Sequence, residues 1–474
     1  MPEHSGLLSA MTAHPPPLQY VDELIHHHVR DIEIPATSEV ISLTLPLPDL
    51  RLHGLPQLDE NWTYWAHPEQ EHYLLGLGSA WENPLEGIGR FRALYRIWRE
   101  KGAAWHRLDP ENSGALPLFF CAYAFDPDDP MKGRWNGLPN SLLCLPELLL
   151  ERRGNDYHIT FSAHTQRSDL ALIEARWREL MERLVTALAQ GPSRAGRRTP
   201  LIRVRQEPTA QEWLELVKRA IRDIDTGRLE KVVPARCIEV QAARRLDPSR
   251  LMAVLDCLYP TARLFGMGRA GKSVVAATPE RQILLQDSEV TCDAIGGTIH
   301  RAAGEAEDRV LGEQLLNSPK MRREHAFVIE AIVGQLKPCC EEIHTPPSPA
   351  LLPLRNLQHL WTEIHGRTKR DVHLFDLIER LHPTPAVNGS PTRTAFEWLQ
   401  QEEPLQRGWF SGAGGWIDAE GNGELAVLLR CALLQGENAL LYAGAGVVAD
   451  SSAEEELAET ELKFTTMLEA LENA

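Results

Sequence analysis

The sequence predicts an α+β protein, and three observations carry that reading. Short β-like runs and amphipathic helical stripes both occur along the chain. They do not alternate in the regular strand–helix rhythm of a doubly wound parallel sheet. A length of 474 residues, 43% apolar and 24% charged, is that of a globular protein with room for two or three ordinary domains or one unusually large one.

Residues 1–17 carry neither the basic start nor the apolar stretch of a secretory signal. No run of 18 apolar residues is present, so no membrane-spanning helix is expected. The first β-like runs are Leu118–Phe125 and Asp156–Ser162. A helix follows over Asp169–Gln190, and then Gly191–Pro200 (GPSRAGRRTP), a basic, aperiodic stretch rich in Gly and Pro that reads as a linker. The main boundary is placed there. Residues 1–197 form an N-terminal α/β segment expected to pack into the same fold, and residues 198–474 hold the chemical motifs.

Downstream, Thr209 and Glu212 have the spacing of a capping box. Trp213, Leu216, Val217, Ala220, Ile221 and Ile224 then repeat at helical spacing, and Gly227 closes the element. Lys231–Val240 is a β-rich run in which Pro234 implies an edge or a bulge. Further strands are predicted at Ser273–Ala277, Arg281–Leu285, Leu425–Leu434 and Ala439–Tyr442, and helices at Pro319–Leu336 and Glu454–Leu471.

The net charge of −17 argues against a nucleic-acid partner. Eight cysteines are scattered, and the one close pair, Cys339-Cys340, lacks zinc-ligand spacing, which reads as reduced thiols in a cytoplasm. The triplet His26-His27-His28 has no metal spacing and is assigned to the surface.

Among candidate functional residues, Glu324 is in phase with the apolar face of its helix (Phe327, Val328, Ala331, Ile332). A carboxylate aimed at a core must be paired or bind a cation; the competing reading is a glutamate near a helix start, favoured by the macrodipole. The last predicted helix places Glu456, Glu459 and Lys463 on one side and Leu457, Phe464, Leu468 and Leu471 on the other. That side is either a solvated face with an i,i+4 pair or, if the helix approaches Glu324, part of a site for a hard cation. Glycine clusters at Gly296-Gly297, Gly412–Gly415 and Gly444–Gly446 are able to bring backbone N–H groups close to an anion, but none has a P-loop or dinucleotide context.

Taken in order, KVVPAR (Lys231–Arg236), ATPE (Ala277–Glu280), AIGGT (Ala294–Thr298), Arg323-Glu324-His325, His359-Leu360 with Thr362 and Gly366, LHPTPAVNG (Leu381–Gly389), Gly414-Gly415-Trp416, GNGE (Gly421–Glu424), YAGAG (Tyr442–Gly446) and Glu456–Lys463 resemble the blocks of the chorismate-utilising enzymes. That family includes isochorismate, salicylate, anthranilate and aminodeoxychorismate synthases. The resemblance spans Lys231 to Lys463, and is weak before the linker, around Phe125 and Trp135. It implies antiparallel sheets packed face to face with helices around the outside.

It also implies roles. Lys231 corresponds to the general base that activates water, and Glu280 to the general acid for the departing C4 hydroxyl. Glu324 and Glu459 correspond to Mg2+ ligands, with Glu456 acting through the metal's water shell. Gly297, Thr298, His359, Ala386, Arg430, Gly446 and Lys463 correspond to the substrate-binding set. These roles are chemically sensible: a lysine serves as a base near neutrality when burial or a cation lowers its pKa, and a glutamate serves as an acid when desolvation raises its own. A cation would also let this acidic protein accept a dianionic substrate.

Within the family, relatives that make anthranilate carry Thr where this chain has Ala386, and aminodeoxychorismate synthases carry a nucleophilic lysine where it has Gly296. With Lys231 present, the expected nucleophile is water and the expected activity is isochorismate synthase, without a glutaminase subunit. Salicylate synthase, which adds a pyruvate elimination, is the alternative. A catalytically inactive chorismate-binding protein is disfavoured because Lys231 and Glu280 are both present. The long N-terminal segment suggests menaquinone rather than siderophore supply, by analogy alone.

Overall fold

The computed structural model describes residues 25–29, 34–35, 37–47, 61–165, 169–190 and 198–474. Residues 191–197, most of the predicted linker, and the N-terminal stretch 1–17 lie outside the described residues.

Among the described residues, two large and almost wholly antiparallel sheets of twelve and ten strands form the centre. Period-2 alternation decides what each face touches. On Trp62–His67, the side chains of Trp62, Tyr64 and Ala66 face one core while Trp65 faces another. On Leu118–Tyr123, Phe119, Cys121 and Tyr123 face outward towards helices, and Leu118, Phe120 and Ala122 face the opposite sheet. The inter-sheet core joins Trp65, Phe265, Leu433 and Tyr442 of the larger sheet to Phe120 and Trp416 of the smaller. Helices Leu170–Gln190, Pro248–Leu258 and Ala453–Asn473 cover the far side of the larger sheet. Helices Arg90–Ala103, Pro319–Leu336 and Leu374–Leu381 cover the far side of the smaller. The order is therefore helices, sheet, sheet, helices. At Gly414 the sheets come so close that a Cβ would sit 2.7 Å from the Phe265 ring, and forcing a side chain there would cost about 1–3 kcal/mol of overpacking.

Strands from before and after residue 197 are direct neighbours in both sheets: Trp62–His67 pairs with Arg263–Arg269, and Leu118–Tyr123 with Ala413–Asp418. The two segments therefore share their hydrogen-bond ladders.

Two single β runs of the sequence are divided in the fold. Lys231–Val240 breaks at Pro234, which has no N–H for a ladder: Lys231–Val232 pairs with Gly389–Ser390, and Ala235–Ala242 joins the larger sheet. Leu425–Leu434 divides into Gly423–Val427 in the smaller sheet and Cys431–Gln435 in the larger. The strands Lys272–Thr278 and Arg281–Gln286 make the same transfer three residues apart. Hydrophobic periodicity does not register the break in Leu425–Leu434, because both halves of that run are buried and apolar. The helices fall close to expectation, at Pro319–Leu336, Ala453–Asn473 and Ala210–Asp225, the last with the reciprocal Thr209–Glu212 capping box.

Candidate active site

The paired transfers between sheets build one wall of a cavity. The two strands crossing at Pro279-Glu280 run beside the two crossing at Leu428–Arg430, and they bond to each other: Val427 N–H donates to the Glu280 carbonyl at 3.0 Å and Ala277 N–H to the Arg430 carbonyl at 3.2 Å. Glu280 and Arg430 thus occupy adjacent points where the chain leaves one sheet for the other. Arg430 takes φ +47°, a left-handed conformation that costs a non-glycine residue of order 1 kcal/mol and is concentrated at functional sites.

Glu280 is 3% exposed. Burial, with the Asp293 carboxylate second, pushes its pKa up to about 8, against the opposing pull of Lys231 and Lys463. Near neutral pH it is a protonated acid inside the cavity.

The floor comes from a bulge in the strand Glu289–His300. Its register against Leu357–Thr368 shifts between Gly296 and Thr298, which leaves Gly297 as the extra residue at φ +72°. Opposite the bulge, His359 links two groups: Arg430 Nη2 donates to its Nε2 at 3.2 Å, so Nδ1 carries the proton and faces Thr298 Oγ1 at 3.1 Å. Burial, followed by the charges of Arg430 and Lys463, holds the imidazole pKa well below its usual range, consistent with that neutral tautomer. Arg430 is lowered by burial to about 10 and stays cationic at neutral pH.

Two helices bring carboxylates to the other side. Glu324, in the second turn of Pro319–Leu336, accepts from Lys231 Nζ at 3.1 Å, and Lys231 is 1% exposed. The charged side of Ala453–Asn473 faces inward, which removes the solvated-face reading: Glu456 is 5% exposed, and Glu459 and Lys463 line the cavity as a 2.6 Å pair. Lys463 Nζ also donates to the Gly444 carbonyl at 2.8 Å. Gly446 leaves room for both groups: a Cβ there would lie 2.7 Å from Glu324 Oε1 and 3.0 Å from Lys231 Cε, so both side chains would have to shift.

Burial and then the charges of Glu459 and Glu324 push the Glu456 pKa up to about 8. Three glutamates whose charges oppose one another, each offering hard oxygen donors, suit a divalent cation such as Mg2+. Among the described residues, no set of three or more His, Cys, Asp and Glu stands close enough to enclose an ion by protein atoms alone.

Of the residues singled out from the sequence, Lys231, Glu280, Gly297, Thr298, Glu324, His359, Ala386, Arg430, Gly446, Glu459 and Lys463 all line this one cavity, and Glu456 lies buried one helical turn from Glu459. Sequence reasoning missed Arg407 and Phe410, which line it as well, and named Tyr442 only as the start of a family block. Arg407 is 4% exposed, forms a double ion pair with Glu403, and donates to the carbonyls of Val233 at 2.7 Å and Val387 at 3.0 Å. It thereby ties the segment after Lys231 to the wall containing Ala386. The available signal was its place just before the glycine block Gly412–Gly415. At Gly296, a Cβ would lie 3.3 Å from the His325 backbone, so a helix fills the space that a side chain from this position would need.

The chain is similar to several known proteins. The chain is 31% identical over 429 residues to isochorismate synthase MenF of Bacillus subtilis, covering 88% of this chain and 89% of that protein. It is 33% identical over 434 residues to the salicylate biosynthesis isochorismate synthase of Pseudomonas aeruginosa, covering 90% and 88%. Among solved structures, MenF, the menaquinone-specific isochorismate synthase of Escherichia coli, superposes with a TM-score of 0.81 at 25% identity, covering 96% of this chain and all of that one. The 2,3-dihydroxybenzoate-specific isochorismate synthase DhbC of Bacillus anthracis gives 0.68 at 26% identity, again covering 96% of this chain and all of that one. The family described as "Chorismate binding enzyme" matches residues 29–472, and the chain belongs to that family.

Proposed function

We propose that this protein is an isochorismate synthase, an isomerase that converts chorismate to isochorismate with Mg2+ bound. The observation that carries the reading is a proton donor and a buried amine in one cation-lined cavity: Glu280 with its pKa at about 8, and Lys231 at 1% exposure. In the reaction, Lys231 takes a proton from the incoming water as its oxygen bonds C2 of the ring. Glu280 gives its proton to the departing C4 hydroxyl, which leaves as water while the double bonds shift between the two carbons. One water enters and one leaves, so the net change is isomerisation. Arg430, supported by His359, and Lys463 pair with the substrate carboxylates, and the backbone beside Gly297 adds N–H donors. Glu324 and Glu459, with Glu456 behind them, would hold Mg2+, which neutralises carboxylate charge in a protein of net charge −17.

Incubation of pure protein with chorismate and Mg2+, followed by chromatography, tests the reading. Isochorismate as sole product supports it. Salicylate with pyruvate points instead to a salicylate synthase, and turnover that requires glutamine or ammonia overturns both. We place the protein in the cytoplasm. No helix among the described residues is long and apolar enough to cross a membrane, and all eight cysteines are free, seven of them buried. The menaquinone-specific relative superposes more closely than the 2,3-dihydroxybenzoate-specific one, so we read the product as bound for menaquinone. A deletion strain with unchanged menaquinone would overturn that assignment.

A further inference from the structure

Behind Glu280 lies a buried charge cluster to which the reaction above assigns no role. Asp293, 4% exposed, accepts from the Arg281 backbone N–H at 3.1 Å, from Arg281 Nη2 at 3.0 Å and from Trp361 Nε1 at 3.0 Å. The Arg281 amide shares its peptide with the Glu280 carbonyl, so the Asp293 carboxylate sits against the backbone of the acid. Arg281 is also paired with Glu363, while Arg263 reaches Asp293 at 3.7 Å and Glu424 at 2.5 Å. Two guanidiniums therefore face three carboxylates, with His365 Nε2 3.0 Å from Glu363 at the outer end and the Asp293 carboxylate at the inner end, against Glu280. A second buried carboxylate beside such a charge is discouraged from ionising. From the cavity side, Lys231 and Lys463 pull the other way, each already engaged with a carboxylate of its own, Glu324 and Glu459.

We propose that Asp293 is a positioning residue for catalysis: its charge, fixed behind Glu280 by Arg281 and Trp361, keeps Glu280 in the proton-donating form. This rests on the reading of Glu280 as the acid. Asp293→Asn keeps one acceptor oxygen, which serves either the Arg281 backbone N–H or the Arg281 Nη2 and Trp361 Nε1 donors, and both arginines keep a carboxylate, Glu363 for Arg281 and Glu424 for Arg263, so the variant is expected to fold.

The test is the pH dependence of kcat/KM for chorismate at saturating Mg2+. In Asp293→Asn the alkaline midpoint should fall by at least about half a pH unit, so that activity drops about twofold or more further at pH 8 than at pH 6.5. Asp293→Glu, which restores the charge, should bring the midpoint back towards that of the unmodified protein. A uniform loss at all pH values with an unmoved midpoint would leave Asp293 a structural role only and overturn the inference. If Asp293→Asn does not fold, Asp293→Ser, uncharged but still an acceptor, is read in its place. Glu280→Gln is measured in parallel. Loss of its activity beside an unmoved Asp293→Asn midpoint sinks this inference alone, whereas full activity in Glu280→Gln sinks the acid assignment itself.

Discussion

Holding a glutamate in its neutral form has a thermodynamic cost that is open to measurement. Burial lifts the Glu280 pKa from 4.5 to about 8 in the folded protein, so folding takes up a proton at any pH between those values. The folded value lies above the unfolded one; the associated stability is therefore fully present below pH 4.5 and is lost as pH rises through 8. At about 1.4 kcal/mol per pH unit, the wild-type chain gives up about 1 kcal/mol at pH 5 and about 4 kcal/mol at pH 8 relative to a side chain that is always neutral. Glu280→Gln is that side chain with nearly the same shape. Urea denaturation of both proteins, without Mg2+ or substrate, at pH 5 and at pH 8 reads the difference directly. The advantage of Glu280→Gln should grow by about 3 kcal/mol between the two conditions. A stability difference that stays constant across this range would refute the claim that Glu280 is held protonated.

Three further outcomes follow from the site. Lys231→Ala should abolish isochorismate formation while Mg2+-dependent chorismate binding stays measurable by calorimetry; full turnover in that variant would refute the assigned base. Gly446→Ala intrudes on Glu324 Oε1 and Lys231 Cε, both on flexible side chains, so thermal unfolding should change little while kcat/KM falls by about 100-fold or more, as expected for misplaced catalytic groups. Glu459→Gln removes one charge from the proposed cation site and should raise the Mg2+ concentration needed for half-maximal activity about tenfold or more; an unchanged Mg2+ requirement would remove Glu459 from the ligand set.

The mixed class, the long helices and the capping box were legible in the sequence because each depends on local periodicity or on a side chain bonding its own backbone. Glu324 carried a local signal too, since a carboxylate in phase with an apolar stripe needs a partner. Its partner, Lys231, lies 93 residues away, and no spacing rule connects the two. Glu456, Glu459 and Lys463 read equally well as a solvated face, because a charged stripe looks the same whether it meets water or a lined cavity. The order of the family blocks, and not the chemistry of any one residue, gathered these positions into one expectation.

What the sequence determined by itself is the set of side chains able to do acid, base and cation-binding work, and the helices and strands that carry them. Tertiary structure decided where buried runs change sheets. Leu425–Leu434 reads as one strand, and Ser273–Ala277 and Arg281–Leu285 as two, yet both stretches pass from one sheet to the other, with Arg430 and Glu280 at the crossings. Apolar pattern measures burial and does not distinguish which sheet a buried strand joins, so the turn that makes a carboxyl into a sheltered acid is written in packing between distant strands. Asp293 and Arg407 belong to the same class: their functions exist through partners that only the folded chain supplies.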